Sequence, residues 1–464
     1  MLYLFTQDLR VGGNPGVHQI LKYRTTYDVI AVFVWPVGRS KAAQAWLAEA
    51  VINLRQRLEE LGIQFVVLRD GEPTTWNRLI QAWPRSSSNS PPTMLAMNPH
   101  NERDRRQVLS VAQSIFSNQL IFVDEANLLS EELFEQVGLM PQSLVNGGEL
   151  RSINLSFSRF RRSIQAIWPE VLHSILMDPL AEVGKSVPSQ NHETQRSVLE
   201  LPGLVDLILD DRELLLMANN CRRAFGLSGG ESAAWQRLQT YFWELGVDDL
   251  SPPHGVKVYK DTRNGMLDRD DSSKLSPYLS WGCLSARQVA RELARFEEQS
   301  ISNESTQWFW QELLWREYFR WIARGAGNRI FSTDALRTSA PKPGDEWKDD
   351  EPGFELWRSG QTGEDFVDAN MRELAETGWM SNRGRQNVAS YLAKVLRINW
   401  TWGAQHFENE LIDSDRPNNW GNWMYLAGVG TDPRDRVFNV SRQAEMYDES
   451  GAYRRRWLGS GRHG

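Results

Sequence analysis

Cysteine is nearly absent from this chain of 464 residues: only Cys221 and Cys283 occur, far apart. They build neither a disulfide framework nor a thiolate metal site. No apolar run approaches the roughly 18 residues that a membrane helix requires, so no membrane contact is expected. The opening MLYLFTQDLR has no basic segment and too short an apolar run for a secretory leader, so residence in the cytoplasm is expected. An excess of positive charge is also missing. Lys and Arg number 52 against 59 Asp and Glu, for a net charge of −7 and a pI near 5.7. Any contact with nucleic acid must therefore be a local patch on an acidic body.

What remains is the composition of a globular protein, 41% hydrophobic and 24% charged, long enough for two or more domains. Tryptophan departs from that average. Twenty of them favour a site that stacks planar ligands or moves electrons, although any single one can be simple packing.

Residues 1–130 alternate short apolar runs with helical patterns. Leu2–Phe5, Val29–Trp35, Phe65–Leu68, Met94–Met97 and Leu120–Val123 read as buried parallel strands. Lys41–Leu61, Thr74–Ala82 and Glu102–Phe116 read as crossover helices. The fold class is a doubly wound α/β domain followed by an all-α domain. The first turn, from Asp8 to Gly16, is Gly-rich but has no GxGxxG, which excludes a dehydrogenase fingerprint. Residues 131–200 read as a connector, with a polar linker SVPSQNHETQRS and a basic run at Arg159, Arg161 and Arg162 that suits a solvated helix face. Residues 201–464 read as helical throughout, in segments Asp211–Ala224, Glu231–Leu245, Ser285–Gln299, Ser305–Ala323, Asp365–Glu376 and Trp379–Trp400. No appended tail is expected beyond Trp457.

The most informative stretch runs from Glu376 to Asp435. Trp379, Asn382, Gln386, Ala389 and Ala393 share one face of a helix expected to be capped by Thr377, with Arg385 on the next row. Buried amides cost about 2–7 kcal/mol unless paired, so something flat, polar and large should meet this face. Asp413 and Asp415 precede an Asn- and Gly-rich turn containing Asn419. An Asp-x-Asp can open a metal loop, but no further ligands stand at EF-hand spacing, and no metal is expected. A carboxylate set to meet Arg385 and the N–H edge of a heterocyclic cofactor fits better. Ser272, Ser273, Lys274, Leu275 and Ser276 precede Pro277, a plausible pyrophosphate cradle of hydroxyls and N–H groups at a helix start. Glu312 and Arg316 are i, i+4, which by itself is an ordinary ion-pair spacing.

TGWMSNRGRQNVAS (377–390), DSDRPNNWGNWMYLAGVGTDPR (413–434) and RVFNVSRQAEMYDESGAYRRRWL (436–458) resemble the flavin domain of the photolyase/cryptochrome family, most closely its cryptochrome DASH branch. The resemblance runs in order through most of the chain and is strongest after Pro253. It implies an FAD cofactor, held by Tyr259, the segment Ser272 to Ser276, Arg316, Trp379, Asn382, Arg385, Asp413, Asp415 and Asn419. Arg385 and Asp413 match the ion pair along the isoalloxazine edge, and Asn419 the residue facing flavin N5. Asn there is the photolyase-like choice, a neutral amide that supplies no proton outright.

By the same resemblance Glu312 matches the glutamate that hydrogen-bonds a damaged pyrimidine pair. Trp315 matches an aromatic against which the lesion packs, and Asn382 the Asn that faces flavin and lesion. Trp423, Trp400 and Trp347 match the chain of tryptophans from flavin to surface. Pro99-His-Asn-Glu resembles an antenna motif in which Asn101 and Glu102 would meet the pterin of 5,10-methenyltetrahydrofolate. The activity implied is light-driven repair of cyclobutane pyrimidine dimers by an electron from excited reduced FAD. Tyr425 and Gln386 stand where conventional dimer photolyases have Trp and Met. These more polar groups should weaken capture of a base pair that must be pulled from a duplex, so preference for single-stranded DNA is expected. Arg383, Arg434, Arg436 and Arg442 are candidates for phosphate contacts. The alternative is a photoreceptor that uses flavin photoreduction without repair. A monomer is expected in either case.

Overall fold

Leu2–Phe5, the strand β1, is buried along its whole length and lies at the centre of a five-stranded sheet. The other strands are β2 (Ile30–Val34), β3 (Gln64–Leu68), β4 (Met94–Met97) and β5 (Leu120–Val123), in the order β3-β2-β1-β4-β5. All pairings are parallel, with Leu2 opposite Ile30 on one side and Met94 on the other. A computed structural model describes residues 2–23, 29–81, 94–97, 120–123, 127–136, 156–178, 204–245, 254–337, 346–431 and 437–459. The expected helix Glu102–Phe116 and the polar linker lie outside the described residues.

Apolar runs such as IAVFV can be buried on both faces because crossover helices cover the sheet. The helix Lys41–Glu60 starts at Ser40, whose hydroxyl accepts from Ala43 N, and buries ten side chains. The turn after β1 leads into a further helix, Pro15–Tyr23, absent from the sequence reading. Asn14 caps it, its Oδ1 accepting from Gly16 N at 2.8 Å. That same turn docks on the helical half. Leu9 N donates to Trp281 O at 2.9 Å, Arg10 Nη1 to Gly282 O at 3.0 Å, and Val11 N to Glu231 Oε2 at 2.9 Å.

The described residues of the connector region form packed helices. Glu131–Gln136, Phe157–Ala166 and Trp168–Leu176 place Phe134 on Trp321 (ring centroids 3.9 Å apart) and Phe157 on Trp315 (3.5 Å). Arg159 and Arg162 are exposed, while Arg161 donates to Gln311 at 3.1 Å.

Beyond residue 204 the described structure is helical. Its axis is Glu304–Ala326, capped reciprocally by Asn303 and Thr306 and packed against Arg416–Ala427. The helix expected over Trp379–Trp400 is two segments with a break at each end. Thr377 ends the preceding helix, Asp365–Thr377, and Gly378 turns left-handed at φ 67°. Ser381, not Thr377, caps Asn382–Ser390 by accepting from Gly384 N at 3.0 Å. The helix then widens over Tyr391–Leu396, stops at the left-handed Arg397, and a new helix, Trp400–Glu410, begins after Asn399. Trp379 therefore precedes the helix and reaches the same face from a loop. Among the described residues, no helix is long and apolar enough to cross a membrane.

Candidate flavin and lesion site

A cavity of about 440 Å³ opens between these helices, within the range of small-molecule and cofactor sites. Its walls come from Tyr259–Gly265, Ser272–Ser280, the helix Glu304–Ala326, the loop and helix from Trp379 to Ala389, and Phe407–Leu426. Every described residue expected to hold the cofactor lines it.

One end is the cradle Ser272–Ser276. Arg237, buried and unsuspected from sequence, donates to Ser273 O at 2.8 Å and Ser272 O at 3.0 Å and pairs with Asp270. With these carbonyls taken, the Ser272 and Ser273 hydroxyls, which accept from Lys274 Nζ and Leu275 N, keep their protons for a ligand. Lys274 sits at φ 52°, a left-handed backbone whose cost of order 1–3 kcal/mol is tolerated mainly at functional sites. Its Nζ lies 4.6 Å from the Phe225 ring centre and 5.4 Å from that of Trp379. Burial lowers its pKa to about 8, against the pull of Asp271.

The middle of the cavity is lined by paired charges. Arg385 Nη2 lies 2.9 Å from each Asp413 oxygen, and Ser276 Oγ donates to Asp413 at 2.7 Å. Burial opposes ionisation of Asp415, but Arg320, Arg316 and the Asn418 contacts outweigh it and hold the carboxyl below its usual range. Asp415 also caps the helix Arg416–Ala427, accepting from Asn418 N at 3.0 Å. Asn419 Nδ2 donates to Ala404 O at 2.8 Å, which leaves Oδ1 as its remaining polar end. Arg316 does not pair with Glu312; its Nη2 donates to Leu279 O at 3.2 Å.

At the other end Glu312 meets Arg263 at 2.5 Å and accepts from Trp308 Nε1 at 3.2 Å. Burial pushes the Glu312 carboxyl up, with Arg263 and Trp308 pulling the other way. Trp315 has one face covered by Phe157 and lines the cavity with Asn382, Gln386 and Tyr425. Arg383 is committed locally: it donates to Gln386 Oε1 at 2.8 Å and Asn264 Oδ1 at 3.1 Å and lies over Tyr447. Arg442 is exposed; Arg434, Arg436, Asn101 and Glu102 lie outside the described residues. Arg263 had one available signal, standing one helical turn after Tyr259. Phe157 and Arg237 had none, because only folding brings them near.

Trp423 lines the cavity and packs on the backbone of Gly403, where a Cβ would come within 2.3 Å of the indole. Gly403 is one turn from Trp400 on the same helix, Trp400–Glu410. Trp400 is fully buried. Partly buried Trp347 is drawn toward it by backbone pairing of Lys348 N with Arg397 O at 2.8 Å and Asn399 N with Lys348 O at 3.0 Å.

Comparison with known proteins bears on the family and the fold. Residues 308–463 match the FAD-binding domain of DNA photolyase, and residues 1–87 match the DNA photolyase model. Cryptochrome DASH of Synechocystis sp. is 52% identical over 241 residues, 51% of this chain and 46% of that protein. The chain thus aligns with about half the length of that relative. Cryptochrome DASH of Natronomonas pharaonis is 35% identical over 467 residues, covering 98% of this chain and 89% of the relative. The crystal structure of Synechocystis sp. cryptochrome shares a TM-score of 0.77 at 32% identity, over 99% of this chain and 88% of the other. A parallel α/β domain docked on a helical FAD-binding domain defines the photolyase class of flavoprotein. The chain belongs to the photolyase/cryptochrome family, in its cryptochrome DASH branch.

The donor set fits a flavin dinucleotide. Trp379 and Ser414 line this cavity, and their buried Nε1 and Oγ have no protein hydrogen-bond partner. Polar atoms left so are costly unless a ligand meets them.

Proposed function

We propose that this protein is a blue-light-dependent flavoprotein of the deoxyribodipyrimidine photo-lyase type, acting on cyclobutane pyrimidine dimers in DNA and preferring single strands. When bound, reduced FAD excited by blue or near-UV light supplies an electron to the dimer, which splits and returns it. The observation that carries this reading is the shared cavity: Arg385, Asp413 and Asn419 line it together with Glu312, Trp315 and Asn382. The chain's own work is to bind, orient and exclude water. Ser272–Ser276 with Lys274 would hold the diphosphate, and the Arg385–Asp413 pair the polar edge of the ring. Trp315, backed by Phe157, offers a face for an extruded base, while Glu312 and Asn382 offer hydrogen bonds to it. Gln386 and Tyr425 make this end polar, which favours substrates already unstacked. A folate antenna at Asn101 and Glu102 and a monomeric state belong to the same reading.

The test is illumination of the reduced protein with thymine-dimer oligonucleotides, single-stranded and duplex, with Glu312→Ala as control. Fast reversal in single strands, slow reversal in duplex and loss in the variant are expected. Equal reversal in both would keep the enzyme and remove the strand preference. No reversal, with flavin photoreduction intact, would make the protein a photoreceptor instead.

A further inference from the structure

Outside the flavin cavity, the feature that the proposed function leaves unused is Trp420. It lies off the Trp423, Trp400 and Trp347 series but touches it, its ring 5.8 Å from Trp400 at 74°. Its surroundings differ from theirs in one chemical respect. The indole N–H of Trp400 donates to a backbone carbonyl, Thr333 O at 2.9 Å, and that of Trp347 is buried without a protein partner. A carbonyl orients an indole but cannot take its proton. Trp420 Nε1 instead donates to Glu408 Oε2 at 2.7 Å, and both residues are buried, at 4% and 6% exposure. Arg416 Nε holds the other Glu408 oxygen at 2.6 Å, which fixes the carboxylate against the indole.

An indole that has lost an electron becomes an acid of about the strength of a carboxylic acid. A carboxylate within hydrogen-bond reach is then a competent base. We propose that Trp420 and Glu408 form a proton-coupled side branch of the tryptophan chain, in which an electron vacancy reaching Trp400 is trapped as a neutral Trp420 radical. The electron passes from Trp420 to oxidised Trp400, restoring it, and the Nε1 proton passes to Glu408 Oε2. The products are a neutral indolyl radical and a protonated Glu408. Return of an electron from a thiol reductant in solution, with the proton from Glu408, restores both groups. A groove of about 700 Å³ lined by Phe331, Trp402, Arg416 and the edges of Trp420 and Glu408 runs beside this pair. In the branch, the vacancy is stabilised against immediate return because electron and proton must return together. This rests on the FAD site proposed above, loaded with oxidised flavin: light-excited oxidised FAD is the oxidant that draws the electron from Trp423.

The experiment uses full-length protein loaded with oxidised FAD, flash-illuminated and followed by transient absorption and electron paramagnetic resonance of the tryptophan radical. Trp347→Phe, Trp420→Phe and Glu408→Gln are compared, with FAD content and the unfolding midpoint as checks on folding. In Trp347→Phe a neutral tryptophan radical should persist, with a lifetime lengthened in D₂O. Adding Trp420→Phe should abolish it, and adding Glu408→Gln should leave a short-lived cation instead. A neutral radical unchanged by either substitution, or its complete loss in Trp347→Phe alone, would overturn the branch. Oxidation products mapped by mass spectrometry after illumination in air give a second readout, expected at Trp420 in the parent and lost in Glu408→Gln. Dimer reversal by chemically reduced parent protein draws no electron from any tryptophan. Its failure with the Trp420 radical present would remove the repair reading and leave this one standing.

Discussion

Arg263 and Glu312, 49 residues apart, meet at 2.5 Å at one end of the cavity, with Arg263 also 4.7 Å from the Trp308 ring centre. The carboxylate is therefore held by a loop residue rather than by Arg316 one turn away, and it points into the cavity already oriented. Its hydrogen bond to a lesion would be charge-assisted, a contact of about 1.5–3 kcal/mol, roughly 10- to 100-fold in affinity. Glu312→Ala should weaken dimer binding by about that factor, measured by fluorescence titration. Arg263→Ala should weaken it less, by loosening Glu312 without removing it. Equal effects would mean that the carboxylate acts only through Arg263.

Lys274 is expected to give flavin binding a pH dependence. Its pKa in the folded protein is lowered to about 8, chiefly by burial, and a diphosphate beside it would raise that value again. Binding then takes up a proton, so affinity is full below pH 8 and falls as pH rises through and above it. Titrations at pH 7 and pH 9.5 should show weaker FAD binding at the higher pH. Lys274→Gln should bind more weakly at pH 7 and lose the difference. A Lys274→Gln protein with the parent pH profile would detach Lys274 from the cradle.

Gly403→Ala tests the seat of Trp423. The added methyl would stand 2.3 Å from the indole, and overpacking of this kind costs about 1–3 kcal/mol. The melting temperature should fall, and photoreduction of bound flavin should slow more than in a surface control of equal stability loss. Parent-like photoreduction would show that Trp423 is not held by this contact.

Gln386→Met with Tyr425→Trp makes the lesion end more apolar. Duplex dimer repair should rise relative to single strands, because more stacking surface offsets the few kcal/mol of base flipping. An unchanged ratio would place the strand preference elsewhere.

His406 packs edge-on against Trp357 and Phe354, with ring centres 5.8 and 6.2 Å away. Burial, with Arg358 nearby, lowers its pKa to about 4. The unfolded chain takes up that proton near pH 6.5, so between about 6.5 and 4 the unfolded state binds more protons and stability falls with pH. His406→Gln should flatten denaturation midpoints across that window. An identical slope in the variant would assign the loss to other groups.

The sequence alone determined the two-part architecture and most of the cavity lining. Buried strands such as Ile30–Val34 leave an apolar run, and polar side chains at helical spacing leave a pattern, so both are readable locally. The expected flavin-site residues from Lys274 to Asn419 followed from the family resemblance, and they line one cavity. Even within the resembling motifs the boundaries were misread: the T-G-W-M-S sequence reads as a Thr377 cap, while Gly378 in its left-handed turn makes Ser381 the cap. Tertiary structure alone decided the pairings. Arg237 reaches the Ser272 and Ser273 carbonyls, Arg263 reaches Glu312, Phe157 covers Trp315, and Glu408 meets the Trp420 indole. Buried polar groups must find partners wherever the fold brings them. Such contacts depend on the meeting of distant helices, and no local periodicity records them.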